Sequence, residues 1–178
     1  MKVPFGKYQG KELEKVALDD YFYFFWLRET IKKGELKVRV PQNFAREVEE
    51  IYQKLNHLPI KEKCKAPGCN NNAKYMSIIL HYGGLNKIID LALSDRFVFC
   101  SKECFKKGNG FMHERAQLYK IRFNVIKEIQ TQGYIPKYLY KNLVKFLLHL
   151  CGVKRKTKKN IENLLEKAVL PQEQLSLF

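Results

Sequence analysis

Cys64-Lys65-Ala66-Pro67-Gly68-Cys69 and Cys100-Ser101-Lys102-Glu103-Cys104 are the stretches from which the fold of this chain is read. Each sets two thiols a few residues apart. Such a pair can place two thiolates on one metal ion, and two pairs complete a tetrahedron. Four sulfur ligands form a closed set for Zn²⁺ with no position left for water, so the expected ion is structural, not catalytic. Pro67-Gly68 bends the backbone so that Cys64 and Cys69 converge. The apolar run Phe97-Val98-Phe99 leads into the second pair, and Ser101-Lys102-Glu103 opens a helix. The competing readings are unlinked buried thiols or two disulfides. A disulfide framework fits poorly with five cysteines, no signal peptide and 46% apolar residues, enough for a core without staples. His81 and His113 could each replace one thiolate.

This order of knuckle, hairpin and helix resembles the treble-clef zinc ribbons, whose second pair often reads Phe-Cys-Ser-x-x-Cys. The resemblance covers residues 64–104 and implies structural zinc on Cys64, Cys69, Cys100 and Cys104. The four-residue spacer of the first pair departs from the commoner two.

Charge narrows the class of partner. There are 33 Lys+Arg against 18 Asp+Glu, a net charge of +15 and a pI near 9.6. Adaptation to heat adds Glu along with Lys, so it would not leave this surplus. An uncompensated excess points to a polyanion: nucleic acid first, an anionic membrane surface second. No run approaches the roughly 18 apolar residues of a membrane span. Reduced cysteines and the missing targeting segment make the expected location cytoplasmic. A length of 178 residues suits one composite domain or two small ones.

The chain begins with a glycine-punctuated hairpin, Val3-Pro4-Phe5-Gly6-Lys7-Tyr8-Gln9-Gly10-Lys11, anchored by Phe5 and Tyr8. A short amphipathic piece carries Leu13 and Val16. Asp19 or Asp20 then caps a helix through Tyr21-Phe22-Tyr23-Phe24-Phe25-Trp26-Leu27. The pattern Phe-Gly-Lys-Tyr-x-Gly-Lys, followed by an Asp-led segment ending in Trp-Leu, resembles the small C-terminal module of exodeoxyribonuclease X and related exonucleases. It covers residues 3 to about 31 and implies association with nucleic-acid enzymes, without the exonuclease domain. Six consecutive aromatics cannot share one helix face. Such a run either stacks on the bases of a single strand or forms a core cluster; the expectation is the core, with Phe22, Phe25 and Trp26 inward and Tyr21 or Tyr23 exposed. Lys7, Tyr8 and Lys11 are candidates for phosphate or base contact.

Glu35 to Val40 alternates and reads as a strand. Phe44, Val48, Ile51, Tyr52 and Leu55 fall at helical spacing, with an acidic opposite face of Glu47, Glu49 and Glu50 expected to point away from nucleic acid. Ala73 to His81 reads as a strand, Gly83-Gly84 as a turn and Leu85 to Leu93 as a helix. Beyond Gly110 the expectation is helices alone: Glu114 to Gln130, Tyr138 to Cys151 and Asn160 to about Leu170, with Pro136 suiting a first turn and Gly152 a helix end. His149 and Cys151 sit in or beside the apolar face and are given no chemistry. The run Lys154-Arg155-Lys156-Thr157-Lys158-Lys159 puts five cations in six residues, either a solvated loop or a phosphate contact. Lys106 and Lys107 extend the candidate set.

The acidic residues do not form the clusters that two-ion nucleases need, and no phosphate loop, nucleophile triad or dinucleotide fingerprint is present. His81-Tyr82-Gly83-Gly84-Leu85-Asn86, between the cysteine pairs, faintly resembles an HNH endonuclease. Leu80 stands where an acid is usual, and the His–Asn spacing is short.

After Pro171 the chain ends Gln172-Glu173-Gln174-Leu175-Ser176-Leu177-Phe178. Gln174 to Phe178 resembles the bacterial sliding-clamp binding pentapeptide, Gln-Leu-Ser/Asp-Leu-Phe, at every position. The resemblance implies that Gln174 bonds at a pocket rim, Leu175, Leu177 and Phe178 fill apolar subsites, and Ser176 points outward. Gln172, Leu175 and Phe178 also give a truncated form of the archaeal and eukaryotic clamp box; folding of the tail onto the last helix is the bland alternative. The expected fold is α+β, mostly helical, with short β-hairpins, a four-cysteine zinc ribbon and a C-terminal helical bundle. Its parts are an aromatic-rich module over 1–60, the zinc region over 61–110, helices over 111–170 and a tail over 171–178. The expected function is a non-catalytic, zinc-containing DNA-binding accessory factor in replication, recombination or repair, recruited to the sliding clamp. The alternatives are an HNH-like endonuclease and an RNA-binding zinc protein.

Overall fold

The computed structural model describes residues 1–83, 88–92, 95–109, 116–133, 135–155 and 157–168, with 79–83, 88–92, 95 and 109 described by backbone alone. In chain order the elements are α1 (Leu13–Asp19), α2 (Tyr21–Lys33), α3 (Gln42–Asn56), β1 (Tyr75–Gly83), β2 (Ile88–Ala92), β3 (Val98–Phe99), α4 (Lys102–Asn109), β4 (Ala116–Lys120), α5 (Val125–Gln130), α6 (Lys137–Leu150) and α7 (Lys158–Glu166). The fold is α+β, helices with one small antiparallel sheet. The described residues gather in two compact units: Met1–Leu58 with the described part of Lys156–Phe178, and Pro59–Arg155. No described helix is long and apolar enough to cross a membrane.

In the first unit the N-terminal turn closes on itself. Val3 N–H donates to the Lys11 carbonyl and Gly10 N–H to that of Val3, both at 2.8 Å, around a 3₁₀ turn at Gly6–Tyr8. Gly6, at φ 75°, adopts the left-handed conformation that this reversal needs. Asp20 caps α2 by accepting from Tyr23 N–H at 3.1 Å, and the helix ends at Gly34 (φ 67°), whose N–H returns to the Ile31 carbonyl. The aromatic run turns differently from the expectation. Tyr21 and Phe24 are fully buried with Leu27, while Trp26 is 51% exposed. Positions 21, 24 and 27 follow the helical repeat, and Trp26 falls on the far side of it. An all-apolar run carries no periodicity of its own, so the packing of α1 and α3 selects the buried face.

The acidic face of α3 also departs from expectation. Glu49 is buried and takes two bonds from Arg28 of α2, Nε to Oε2 at 2.6 Å and Nη2 to Oε1 at 2.9 Å. Glu47 binds the N-terminal amine at 2.7 Å, so only part of this face meets water. Phe44, Val48, Ile51 and Leu55 form the buried stripe as their spacing predicts. Glu35 to Val40 forms no strand. Val38 is 47% exposed, so the alternation covers no core. Thr157 caps α7 by accepting from Asn160 N–H, and Ile161, Leu164 and Leu165 are buried.

In the second unit β1 is the central strand and pairs antiparallel with the other three. Tyr75 and Met76 face β3 on one edge and β4 on the other, and β2 continues the β3 edge from Ile79 to Gly83. Two expected helices are therefore strands. Ile88–Ala92, expected as helix, is β2. Of Glu114 to Gln130, residues 116–120 form β4 and only Val125–Gln130 is helical. Short apolar runs fit either period, and here pairing with β1 decides. Pro136 precedes α6, whose Leu139, Tyr140, Leu143, Val144, Leu147, Leu148 and Leu150 are buried. Gly152, at φ 83°, ends it, with its N–H donating to the His149 carbonyl at 2.7 Å. His149 is exposed, and Cys151 is buried, its thiol pushed up to about 12 by burial.

Candidate metal centre and cationic surfaces

The first cysteine pair lies on a knuckle. An antiparallel bridge joins Lys63 to Asn72, Cys64 N–H donates to the Asn71 carbonyl at 2.9 Å, and Cys69 N–H to that of Ala66 at 3.1 Å. Gly68 takes the left-handed turn conformation at φ 72°. Lys65 N–H donates to the Val98 carbonyl and Lys74 N–H to that of Phe99, tying the knuckle to β3. Cys100 follows β3 directly, and Cys104 lies in the first turn of α4. Ser101 caps that helix, its Oγ accepting from Cys104 N–H at 3.1 Å.

The four Sγ atoms of Cys64, Cys69, Cys100 and Cys104 lie within 4.8 Å of one another. Cys69 and Cys100 are 3.5 Å apart and Cys100 and Cys104 are 3.4 Å apart. A disulfide needs about 2.05 Å between sulfurs, whereas a tetrahedron with metal–sulfur bonds of about 2.3 Å has edges near 3.8 Å. The donor set and spacing suit one metal ion, and all four thiols are free to bind it. The Cys100 thiol is pushed up, first by its hydrogen bond with Cys104 and then by burial. Ala66 and Phe99 are buried with Cys64 beneath the cluster, and Phe105 packs against them. Asn71 Nδ2, 3.9 Å from Cys100 Sγ, is a neighbour that the cysteine spacing could not reveal. The side chain of His81 and all of His113 lie outside the described residues, as does most of the HNH-like stretch.

The expected phosphate contacts are placed unevenly. Lys7 is exposed but 3.1 Å from Asp20 Oδ2, which also accepts the Tyr8 hydroxyl at 2.8 Å. Burial opposes the charge of Asp20, yet Tyr23 N–H, Tyr8 and Lys7 together hold its carboxyl below the usual range. Hydrogen bonds to Tyr8 and Asp20 push Lys7 up. Lys158 is paired with Glu12 at 3.3 Å and lies 3.8 Å from Glu162. Lys11, Lys106, Lys107, Lys154, Arg155 and Lys159 are exposed. Lys154 and Arg155 belong to the second unit, Lys158 and Lys159 to the first. Lys156 and the tail residues Gln174, Leu175, Ser176, Leu177 and Phe178 lie outside the described residues.

The exposed face of α6 is a further cationic surface, absent from the candidates taken from the sequence. Lys137, Lys141 and Lys145 are exposed at four-residue intervals, with Tyr138, Asn142 and His149 beside them. The helix contains no carboxylate. Four helical residues rise about 6 Å, so the ammonium groups form a row along one face. The signal in the sequence is a four-residue repeat of lysine on a helix without a carboxylate. Comparison with family models, with curated proteins and with solved structures finds no match for this chain.

Proposed function

We propose that this chain is a zinc-containing, non-catalytic DNA-binding accessory factor in replication, recombination or repair. The observation that carries the reading is the α6 face: three exposed lysines in a row on a helix without a carboxylate, in a chain of net charge +15. Such a row neutralises consecutive phosphates and positions the protein without reading sequence. Lys106 and Lys107 of α4 add to the phosphate-binding surface. Cys64, Cys69, Cys100 and Cys104 hold one structural Zn²⁺ in a ribbon-like arrangement, and the ion orders the knuckle, β3 and the start of α4. The tail Gln174–Phe178 tethers the protein to a sliding clamp and raises its local concentration on DNA.

Binding of labelled DNA and RNA, followed by anisotropy over a salt series, tests the reading. Affinity should fall steeply with salt and favour DNA; affinity indifferent to salt contradicts it. Clamp tethering is tested by titrating clamp with wild-type and Leu177→Ala/Phe178→Ala protein. Equal affinity, or none for either, refutes the tether.

A further inference from the structure

We infer that Trp26, carried on a ladder of ring contacts with Tyr23 and Tyr8, presents a stacking face for unpaired bases, so that the first unit binds single-stranded nucleic acid. The inference rests on the nucleic-acid reading above and adds a strand preference that the α6 face does not carry. Trp26 is half exposed, although burying it would be favourable and α2 has a buried face available. It is not isolated. Its ring centroid lies 5.5 Å from that of Tyr23, tilted by 43°. The Tyr23 centroid lies 4.8 Å from that of Tyr8, edge to face at 69°. The tyrosines therefore buttress Trp26 and leave its outer face open. The Lys7 ammonium stands over the Tyr8 ring, 4.8 Å from its centroid.

Local chemistry holds the ladder in place. Asp20 fixes Tyr8 through its hydroxyl and caps the helix that carries Tyr23 and Trp26. The left-handed Gly6 brings the N-terminal turn close to Tyr23; a Cβ there would stand 3.1 Å from the Tyr23 hydroxyl. Rings held this way lose little freedom on binding. Lys2, Lys7 and Lys11 are exposed on the same turn. Aromatic faces flanked by ammonium groups suit a base and its phosphate, because every base presents a π-face and every linkage a negative charge. A paired base in a duplex offers neither face to such a ladder. The occupant is therefore a single strand.

The chain has one tryptophan, so its fluorescence reports the ladder directly. Full-length protein is titrated with an oligo-dT strand, the matching U-strand, a duplex of equal length and an abasic strand. Base-bearing single strands should quench Trp26; the abasic strand should not. By anisotropy, Trp26→Ala should weaken single-strand binding about 5- to 150-fold while leaving duplex binding unchanged, and Trp26→Phe should restore most of the loss. Far-ultraviolet circular dichroism checks that the variant keeps its helices, as expected for a half-exposed side chain. Unchanged single-strand affinity in folded Trp26→Ala protein, or equal quenching by the abasic strand, overturns the ladder and leaves the α6 face standing. Failure of wild-type protein to bind any strand overturns both.

Discussion

Gly108 of α4 lies against the ring of Phe99 of β3: a Cβ at Gly108 would stand 2.6 Å from Phe99 Cε1. Phe99 is buried under the cysteine cluster and meets Phe105 edge to face, so its ring has little room to swing away. Exchanging a helical glycine for alanine normally stabilises by about 1 kcal/mol. Overpacking a filled core costs about 1–3 kcal/mol, and here it also displaces the helix that carries Cys104. Gly108→Ala should therefore lower the melting temperature and quicken loss of metal to a chelator. A stabilised variant would show that the contact is slack.

The metal itself gives the second prediction. Purified protein should contain one zinc per chain by elemental analysis. Serine at any one of Cys64, Cys69, Cys100 or Cys104 should release it and loosen the second unit, because binding free energy there is folding free energy. Serine at Cys151, buried in the apolar surroundings of α6, should leave zinc content unchanged. Metal-free protein with native circular dichroism would end the zinc assignment.

Arg28 and Glu49 give a prediction in pH. Burial works against the charge on Glu49, but hydrogen bonds from Arg28 and Gln53 and the charges of Arg28 and Lys32 outweigh it and hold the carboxyl below its usual range. A depressed carboxyl stabilises the fold above its unfolded pKa, about 4.3, and the stabilisation is lost as pH falls through the lower folded value. Urea unfolding followed by Trp26, in the same unit, should show this loss below about pH 4.5. Glu49→Gln removes the buried carboxylate from Arg28, whose Nη1 keeps Glu29 at 2.6 Å, at a cost of about 2 kcal/mol at pH 7, and should flatten the acid limb. An acid limb of wild-type steepness in the variant would place its origin elsewhere.

What could be read in the sequence follows how local each signal is. The cysteine pairs announce their own geometry, and α3 and α6 show a single apolar stripe each. The strands β2 and β4 could not be told from helix: both are short runs that fit either period, β2 pairs with β1 across a short connection (Gly83 opposite Ile88), and β4 pairs with a strand roughly forty residues earlier. Tyr21 to Trp26 is apolar throughout, so nothing in the run says which ring faces the core. Glu49 looks like part of a solvated acidic face until Arg28, 21 residues earlier, is folded onto it. The α6 lysines carry a local signal as well, a four-residue repeat, but a sparser one than the five cations of Lys154–Lys159.

Nucleic-acid binding through α6 is tested most directly by the salt dependence of DNA affinity in wild-type protein and in Lys137→Gln/Lys141→Gln/Lys145→Gln. Each phosphate neutralised contributes a slope of about −0.9 to log K against log salt on duplex. The triple variant, whose substitutions are exposed and should leave the fold intact, is expected to bind more weakly at low salt. Its slope should be shallower by about 2 to 3. A wild-type slope and wild-type affinity in the folded triple variant would contradict the account.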